Sequence, residues 1–219
     1  PHSGGPWRRF TQWLDRWPGV YVFSGIMALN IAVFSGWCYG SIKSAFEGNH
    51  KLTVWMFDNF TVSMRSITEG RPWTILTSCF SHKDFNHILF NGLTYYFMAP
   101  TVLRMLGNAR FLALYLGGGI LASTASAYWH ARRGHNIPAL GASGAISAII
   151  AFYACVRPTA TFLVFYVIPC PAWAVVAGLF LFDGYSAYNE SRPGVDSAGH
   201  VGGLLAGMAY FLRLRLRRF

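Results

Sequence analysis

The segment AGHVGGLLAG, residues 198–207, places a histidine inside an apolar run that carries a glycine at every fourth position. Gly199, Gly203 and Gly207 fall on one face of a helix, and such a stripe of small residues lets a second membrane helix approach closely. An ionisable side chain within an apolar run is costly in a bilayer and usually marks a functional site. The segment therefore predicts a tightly packed membrane helix with His200 near one end.

Five more apolar runs approach the length that a membrane-spanning helix needs. Hydrophobic residues make up 53% of the 219 residues and charged residues only 12%, about half of the roughly 25% that is usual in soluble domains. This composition excludes intrinsic disorder and argues against a soluble globule, and four cysteines are too few for a disulfide-stapled fold. We predict an all-α bundle of six spans, at residues 19–42, 85–106, 110–129, 141–156, 161–182 and 198–212.

The segment between the first two spans, residues 41–84, is too apolar for a flexible linker. It contains Trp55, Phe57 and Trp73, and tryptophan favours the membrane boundary, so we predict a structured loop that is partly embedded at the interface. The two shortest spans are expected to be shielded by neighbouring helices. The chain is thus divided into an N-terminal juxtamembrane segment, a six-span core and a basic tail, at residues 1–18, 19–212 and 213–219.

The net charge of +10 arises from 18 Lys and Arg against 8 Asp and Glu. The basic residues lie mostly beside apolar runs, which predicts membrane loops and a lipid bilayer as partner, and no nucleic acid. Six spans put both termini on one side, which we call the terminal face, and the positive-inside rule assigns this face to the cytosol or its equivalent. Its basic residues are Arg8, Arg9, Arg16, Arg104, Arg110, Arg157, Arg213, Arg215, Arg217 and Arg218.

The second, fourth and sixth spans enter the membrane from the side opposite the terminal face. Polar residues stand near each entry, in SHKDFNHILFN at 81–91, in GASG at 141–144 and at His200. A serine hydroxyl becomes a good nucleophile when a base within hydrogen-bond reach takes its proton. We therefore predict Ser143 as nucleophile and His200 as base, and the alternative is that Ser143 is only a small contact residue among packing glycines.

His87 and Asn91 are four residues apart and project from one helical face. Together with the backbone N–H of Ser143 at a helix N-terminus, they are candidates to stabilise a developing oxyanion. Interhelical hydrogen bonds that hold the bundle are the alternative.

Other polar residues receive structural interpretations. His82 is off that face and is predicted to fix the long loop. A zinc site at His82, Asp84 and His87 competes, but no HExxH motif and no further ligand cluster accompanies it. Asp183 could orient His200, although an acid at a helix end is the preferred interpretation. The four cysteines are read as small buried apolar residues.

These motifs resemble the rhomboid family of intramembrane serine proteases, over about residues 71–210. The resemblance rests on His82, His87 and Asn91 in their spacing, on GASG at 141–144, and on AGHVGGLLAG at 198–207. It implies a Ser143–His200 dyad, oxyanion stabilisation by His87 and Asn91, no metal or organic cofactor, and single-pass transmembrane proteins as substrates.

Two departures separate the chain from bacterial rhomboids. Trp73 is followed by Thr74 where many bacterial members have arginine, and Ser147 stands where many have a tyrosine that stacks on the catalytic histidine. RPWTILTSCFSH, GASGAISA and AGHVGGLLAG look closer to mitochondrial rhomboids. This implies the mitochondrial inner membrane and an extra span upstream, and a chain that begins at Pro1 is expected to be a processed or trimmed form.

The sequence leaves two rival functions open, a non-catalytic rhomboid-like binder of membrane segments and a small transporter. Pro169 and Pro171 fall within the predicted span 161–182 and are expected to kink it near mid-membrane. With the turn-rich residues 189–194, this kinked span is the predicted gate for a transmembrane substrate.

Overall fold

A computed structural model describes residues 5–164 and 167–216. Parts of the predicted juxtamembrane segment (1–4), fifth span (165–166) and basic tail (217–219) lie outside the described residues. The described chain is mostly helical, as predicted, and it also contains one short two-stranded sheet. Its helices are α1 Pro6–Leu14, α2 Gly19–Glu47, α3 Lys51–Phe60, α4 Met64–Thr68, α5 Thr74–Thr77, α6 Phe85–Leu106, α7 Asn108–Arg132, α8 Ser143–Val156, α9 Ala172–Asn189 and α10 Ser197–Leu216, with a 3₁₀ turn at Ser78–Phe80.

The predicted spans correspond to the long helices α2, α6, α7, α8, α9 and α10. The bounds of α6 agree with the predicted 85–106, whereas α2 continues to Glu47 and α10 to Leu216. By length and apolar composition together, two helices of the described residues, α2 and α7, could each cross a membrane. The count of six spans stays a prediction.

The predicted fifth span is wrong in its first half. Residues Thr161–Val164 (β1) and Ile168–Pro171 (β2) form an antiparallel two-stranded sheet, with Thr161 opposite Pro171. Pro171 is in an extended conformation and α9 begins directly after it. Proline lacks a backbone N–H and disfavours a helix before it, so the two prolines precede the helix and do not kink it. The gate predicted from a mid-membrane kink therefore loses its basis.

The centre of the bundle is the packing of α8 against α7 and α10. Eight of the 14 residues of α8 are buried, among them Ala148, Ile149 and Ala151 at 0% exposure. A Cβ atom at Gly203 would overlap the backbone carbonyl of Gly144, and one at Gly207 would overlap that of Ala148. The predicted glycine stripe thus brings the backbones of α8 and α10 into contact. The expectation that the short fourth span is shielded by its neighbours is confirmed.

The loop between α2 and α6 is structured, as predicted. It folds into α3, α4, α5 and the 3₁₀ turn. Trp37 of α2 is 1% exposed and donates a hydrogen bond from Nε1 to the Ser81 hydroxyl at 2.8 Å. Val62 pairs with Ala139 through two backbone hydrogen bonds of 2.8 Å. The loop is therefore fastened both to α2 and to the segment that leads into α8.

The α8–α10 contact generates a stability prediction. Gly203→Ala should lower the thermal stability of the purified protein, because overpacking typically costs about 1–3 kcal/mol and the obstacle here is backbone. Gly178→Ala in α9 is the matched control, because a Cβ there meets nothing within 4 Å. Alanine is the better helix former by about 1 kcal/mol, so the control should be neutral or stabilising. Equal melting temperatures for the two variants would contradict the packing argument.

Candidate active site

Ser143 is the first residue of α8, and Gly141, two residues before it, lets the His87 ring come close to the chain. Gly141 has φ +132°, a conformation that L side chains rarely adopt, and its N–H donates to the Ser78 carbonyl at 2.9 Å. A Cβ there would lie 2.7 Å from His87 Cε1 and 2.8 Å from His87 Nε2. The first N–H groups of a helix lack intrahelical acceptors. Ser143 therefore stands at a partly positive helix end with the His87 ring beside it.

His200 lies in the first turn of α10, and Asp196 holds that turn. An Asp196 carboxylate oxygen accepts from the Gly199 N–H at 3.0 Å, and the Asp196 carbonyl accepts from the His200 N–H at 3.0 Å. His200 Nε2 lies 2.9 Å from Ser143 Oγ. The structure thus brings the predicted nucleophile and base within hydrogen-bond distance. This distance is the one required for a base that takes the hydroxyl proton.

Asp183 contacts His200 on the other side of the ring. Its Oδ2 lies 3.2 Å from His200 Nδ1, and its Oδ1 accepts from Arg192 Nη1 at 3.0 Å. Asp183 is 3% exposed and lies within α9, which continues to Asn189. The preferred interpretation of Asp183 as a helix-end acid is therefore wrong. The error follows from the misplaced fifth span, since a helix that starts at Ala172 ends seven residues later than predicted.

These contacts define the tautomer of His200. The Asp183 carboxylate only accepts hydrogen bonds, so Nδ1 carries the proton that points to it. Nε2 is then free to accept the proton of the Ser143 hydroxyl. The Arg192 guanidinium also lies 4.8 Å from the centre of the Phe182 ring. The loop between α9 and α10 therefore contributes a cation that holds the carboxylate in place.

His87 is positioned by the start of α6. Asp84 caps this helix, and its Oδ1 accepts from the His87 N–H at 2.8 Å. The His87 ring is partly exposed to the cavity that Ser143 and His200 also line. His87 is therefore close to the nucleophile, as the sequence predicts.

Asn91 and His82 form a separate hydrogen-bonded pair. Asn91 Nδ2 lies 2.9 Å from His82 Nε2, and the Ala142 N–H donates to the same nitrogen at 3.4 Å. His82 is 1% exposed. Burial, and to a smaller extent the neighbouring His87, lower the pKa of His82 to about 3, so its ring is neutral. His82 joins the long loop to the bundle, as predicted. It also holds the Asn91 amide, a contact that the sequence spacing of the two residues did not indicate.

Asn91 and His87 face different cavities. Asn91 lines an apolar cavity of about 480 Å³ between α2 and α6. His87 lines a larger cavity of about 840 Å³, bounded by α6, α9 and the α9–α10 loop. This larger cavity contains both partners of the Ser143–His200 pair and has mixed polar and apolar walls. Its lining includes His87, Phe90, Ser143, Ser186, Val195 and His200.

The zinc alternative has no site in the described part of the chain. No group of three or more His, Cys, Asp or Glu side chains there is arranged to hold a metal ion. His82 Nε2 instead accepts hydrogen bonds from Asn91 and Ala142. The chemistry that this arrangement offers is activation of a serine hydroxyl by a histidine that a carboxylate orients.

Comparison with known proteins identifies the family to which the chain is similar. A family model described as the Rhomboid domain matches residues 69–217. The chain is 29% identical to RHOMBOID-like protein 12, mitochondrial, of Arabidopsis thaliana, over 99% of this chain and 65% of that protein. It is 31% identical to Rhomboid protein 1, mitochondrial, of Saccharomyces cerevisiae, over 87% of this chain and 51% of that protein.

The chain is also similar to a vertebrate protein. The chain is 28% identical to Presenilin-associated rhomboid-like protein A, mitochondrial, of Danio rerio, over 90% of this chain and 49% of that protein. The chain thus spans about half to two thirds of the length of these curated relatives.

The Asp183–His200 contact generates a prediction on serine reactivity. Asp183→Asn should slow the labelling of Ser143 by a fluorophosphonate by about 10²–10⁴-fold, since the carboxylate orients the ring and stabilises its protonated form. A merely structural role would instead lower the melting temperature of Asp183→Asn together with the labelling rate.

Asp58→Asn is the matched control for this change. Asp58 is an acid of α3 that pairs with Arg71, and its loss should leave the labelling rate unchanged. A normal labelling rate in Asp183→Asn would contradict the assigned role.

Proposed function

The chain belongs to the rhomboid family of intramembrane proteases, and we propose that it is an active member that hydrolyses peptide bonds with a Ser143–His200 dyad. The observation that carries the proposal is the 2.9 Å separation of His200 Nε2 and Ser143 Oγ. The family includes members that lack dyad residues, whereas this chain has both. Asp183 supports the assignment further, because a buried carboxylate on Nδ1 leaves Nε2 as the proton acceptor.

The proposed reaction proceeds by acyl transfer. His200 Nε2 takes the proton of the Ser143 hydroxyl while Oγ attacks the carbonyl carbon of the scissile bond. The tetrahedral intermediate collapses, the C–N bond breaks, and His200 returns the proton to the leaving amine. The Ser143 ester that remains is hydrolysed by a water molecule, which His200 deprotonates in the same way. Asp183 stabilises the imidazolium in both steps.

Oxyanion stabilisation is assigned to the Ser143 backbone N–H, His87 and Asn91. The helix N-terminus at Ser143 and the His87 ring beside Gly141 support two of these donors. Asn91 has two amide hydrogens, and His82 accepts one of them. In this proposal the second hydrogen binds the oxyanion, and His82 positions the amide. Donors that already point to the oxyanion need no reorganisation during the reaction, and the Ser143 N–H and the His87 ring are held in this way. Asn91 lines the neighbouring cavity, so in this proposal its amide turns toward the site when the substrate is bound.

The proposed architecture is the six-span core at residues 19–212, with 1–18 as juxtamembrane segment and 213–219 as basic tail. Its spans are α2, α6, α7, α8, α9 and α10. Because α8 begins at Ser143, at the end of the bundle opposite the terminal face, water reaches the site from that end. The protein is an integral membrane protein of the mitochondrial type, and we assign it to the inner membrane.

The proposed substrates are single-pass transmembrane proteins in the lipid bilayer. The cavity between α6 and α9 supports entry from the membrane, because its walls combine apolar side chains with the polar groups of the site. The entrance in this proposal depends on the α9–α10 loop and not on a proline kink. Glu190 of that loop pairs with Arg133 of the α7 end at 2.8 Å. This ion pair ties the wall of the cavity to the bundle.

The dyad prediction tests the proposed activity directly. In liposomes, the wild type should cleave a single-pass membrane substrate and react with a fluorophosphonate, and Ser143→Ala and His200→Ala should each abolish turnover. Residues that act as one catalytic unit are strongly non-additive, so the double variant should be no worse than either single one. Mass spectrometry of the fragments measures cleavage.

Ser147→Ala is the matched control, because Ser147 lies one turn further along α8. It should retain activity. A wild-type protein that binds the substrate without cleaving it would instead identify a non-catalytic binder, and solute flux without cleavage would identify a transporter.

A further prediction separates the two interpretations of Asn91. As an oxyanion donor, Asn91→Ala should lower kcat about 10²–10³-fold with little change in KM. His82→Gln, which disturbs only the support of the amide, should have a smaller effect on kcat. Full kcat in Asn91→Ala together with a lower melting temperature would restore the interhelical-bond interpretation.

A further inference from the structure

The helix α1 and the turn that follows it carry a row of aromatic side chains that the described protein leaves largely exposed. Trp7, Phe10, Trp13 and Trp17 are 73%, 49%, 50% and 50% exposed. Their rings follow one another with centroids about 6 Å apart, at 6.0, 6.1 and 5.9 Å. No residue of α1 is buried. Such a row of exposed indole and phenyl rings is unfavourable in water and needs an apolar surrounding.

The opposite face of α1 is basic. At the helical angle of 100° per residue, Trp7, Phe10 and Trp13 share one arc of α1 and Arg8 and Arg9 lie outside it. Arg16 lies in the turn that follows the helix. The neighbouring acid, Asp15, is engaged elsewhere, because its Oδ1 accepts from the Ala109 N–H at 2.9 Å. The helix is therefore amphipathic, with aromatic rings on one side and guanidinium groups on the other.

The position of α1 relative to the bundle places it at a membrane surface. It ends at Leu14, and α2, which is long and apolar enough to span a bilayer, begins at Gly19. Asn108 Nδ2 donates to the Leu14 carbonyl at 2.8 Å and to the Trp17 carbonyl at 2.7 Å. The end of α1 is thus fastened to the turn between α6 and α7. A helix held at the end of a spanning helix lies at the level of the lipid headgroups.

Charge is distributed unequally between the two ends of the bundle. Within residues 5–164 and 167–216, the ion pairs of Lys and Arg with carboxylates lie at the end opposite the terminal face, such as Arg65–Glu69, Arg133–Glu190 and Arg192–Asp183. At the terminal face, no arginine of the described residues has a carboxylate partner; these include Arg8, Arg9, Arg16, Arg104, Arg110 and Arg213. This face therefore has a large excess of positive charge that the protein itself does not neutralise.

We propose that α1 and the adjoining α6–α7 turn form a binding surface for anionic phospholipid headgroups. The aromatic rings enter the boundary of the bilayer. Lipid phosphates are bound by Arg8, Arg9 and Arg16, with Arg104 at the end of α6 and Arg110 at the start of α7. Guanidinium is suited to this role because its planar N–H groups bind phosphate oxygens in pairs. The surface is independent of the protease activity proposed above, since it lies at the other end of the bundle from Ser143.

The test uses the full chain in nanodiscs of phosphatidylcholine mixed with phosphatidylglycerol. Native mass spectrometry of the released protein counts the lipids that each chain retains, and the wild type should retain phosphatidylglycerol in preference. A basic residue near an anionic surface strengthens attachment about fivefold, so Arg8→Gln/Arg9→Gln/Arg16→Gln should reduce the preference by on the order of 100-fold. Added salt should weaken the preference of the wild type.

Two further variants make the result decisive. Lys51→Gln/Arg65→Gln/Arg132→Gln removes the same charge from the opposite end and should keep the preference. Arg8→Lys/Arg9→Lys/Arg16→Lys keeps the charge and should retain most of it, which separates a lost headgroup site from a lost fold. Full preference in the glutamine variant, or equal loss in the opposite-end variant, would overturn the proposal. The glutamine variant could instead keep the lipid preference of the wild type and change its oligomeric state in pure phosphatidylcholine. That result would identify a contact between copies of the chain and would also overturn the proposal.

Discussion

The contact of the α8 and α10 backbones is the constraint on which the site depends. In a bilayer, helices gain little from burying apolar side chains away from lipid, so close packing and polar contacts hold them together. Gly203 and Gly207 leave no side chain between α10 and the carbonyls of Gly144 and Ala148. Ser143 and His200 stand one turn or less from this contact. Their 2.9 Å separation is therefore set by backbone packing, which is stiffer than contact between long side chains.

The His200 ring is supported by the Asp183 carboxylate, in place of the stacking tyrosine that many bacterial rhomboids have. Ser147 stands where many bacterial rhomboids carry a tyrosine that stacks on the histidine, so a ring contact from that position is absent here. Asp183 supplies a hydrogen bond and a negative charge to Nδ1 instead. Stacking restricts the plane of a ring, whereas a carboxylate also selects its tautomer and favours the protonated form. In the proposed mechanism this arrangement directs Nε2 of His200 to the Ser143 hydroxyl.

Much of the fold and of the site could be predicted from sequence, because the relevant signals are local. The bounds of α6 followed from an apolar run, and the Ser143–His200 pair followed from polar residues at equal depth on spans that enter the membrane from the same side. The β1–β2 hairpin could not be predicted in this way, since its apolar residues continue into those of α9 without a polar break. The role of Asp183 was missed for the same reason, because its position within α9 depends on where that helix begins. The His82–Asn91 hydrogen bond crosses from a loop to a helix face, and helical spacing carries no information on such a contact.

The support of His200 also connects the site to the wall of its cavity. Asp183 is held by Arg192, which belongs to the loop between α9 and α10. That loop is held in turn by Glu190, whose backbone has φ +52° and whose carboxylate pairs with Arg133. A non-glycine residue in this conformation is strained and is retained where surrounding contacts require it. Any displacement of the loop that widens the cavity would therefore pull Arg192 away from Asp183 and leave a buried carboxylate with one partner fewer. Because an uncompensated buried charge is costly, the closed position of the loop and the ordered state of the base stabilise each other.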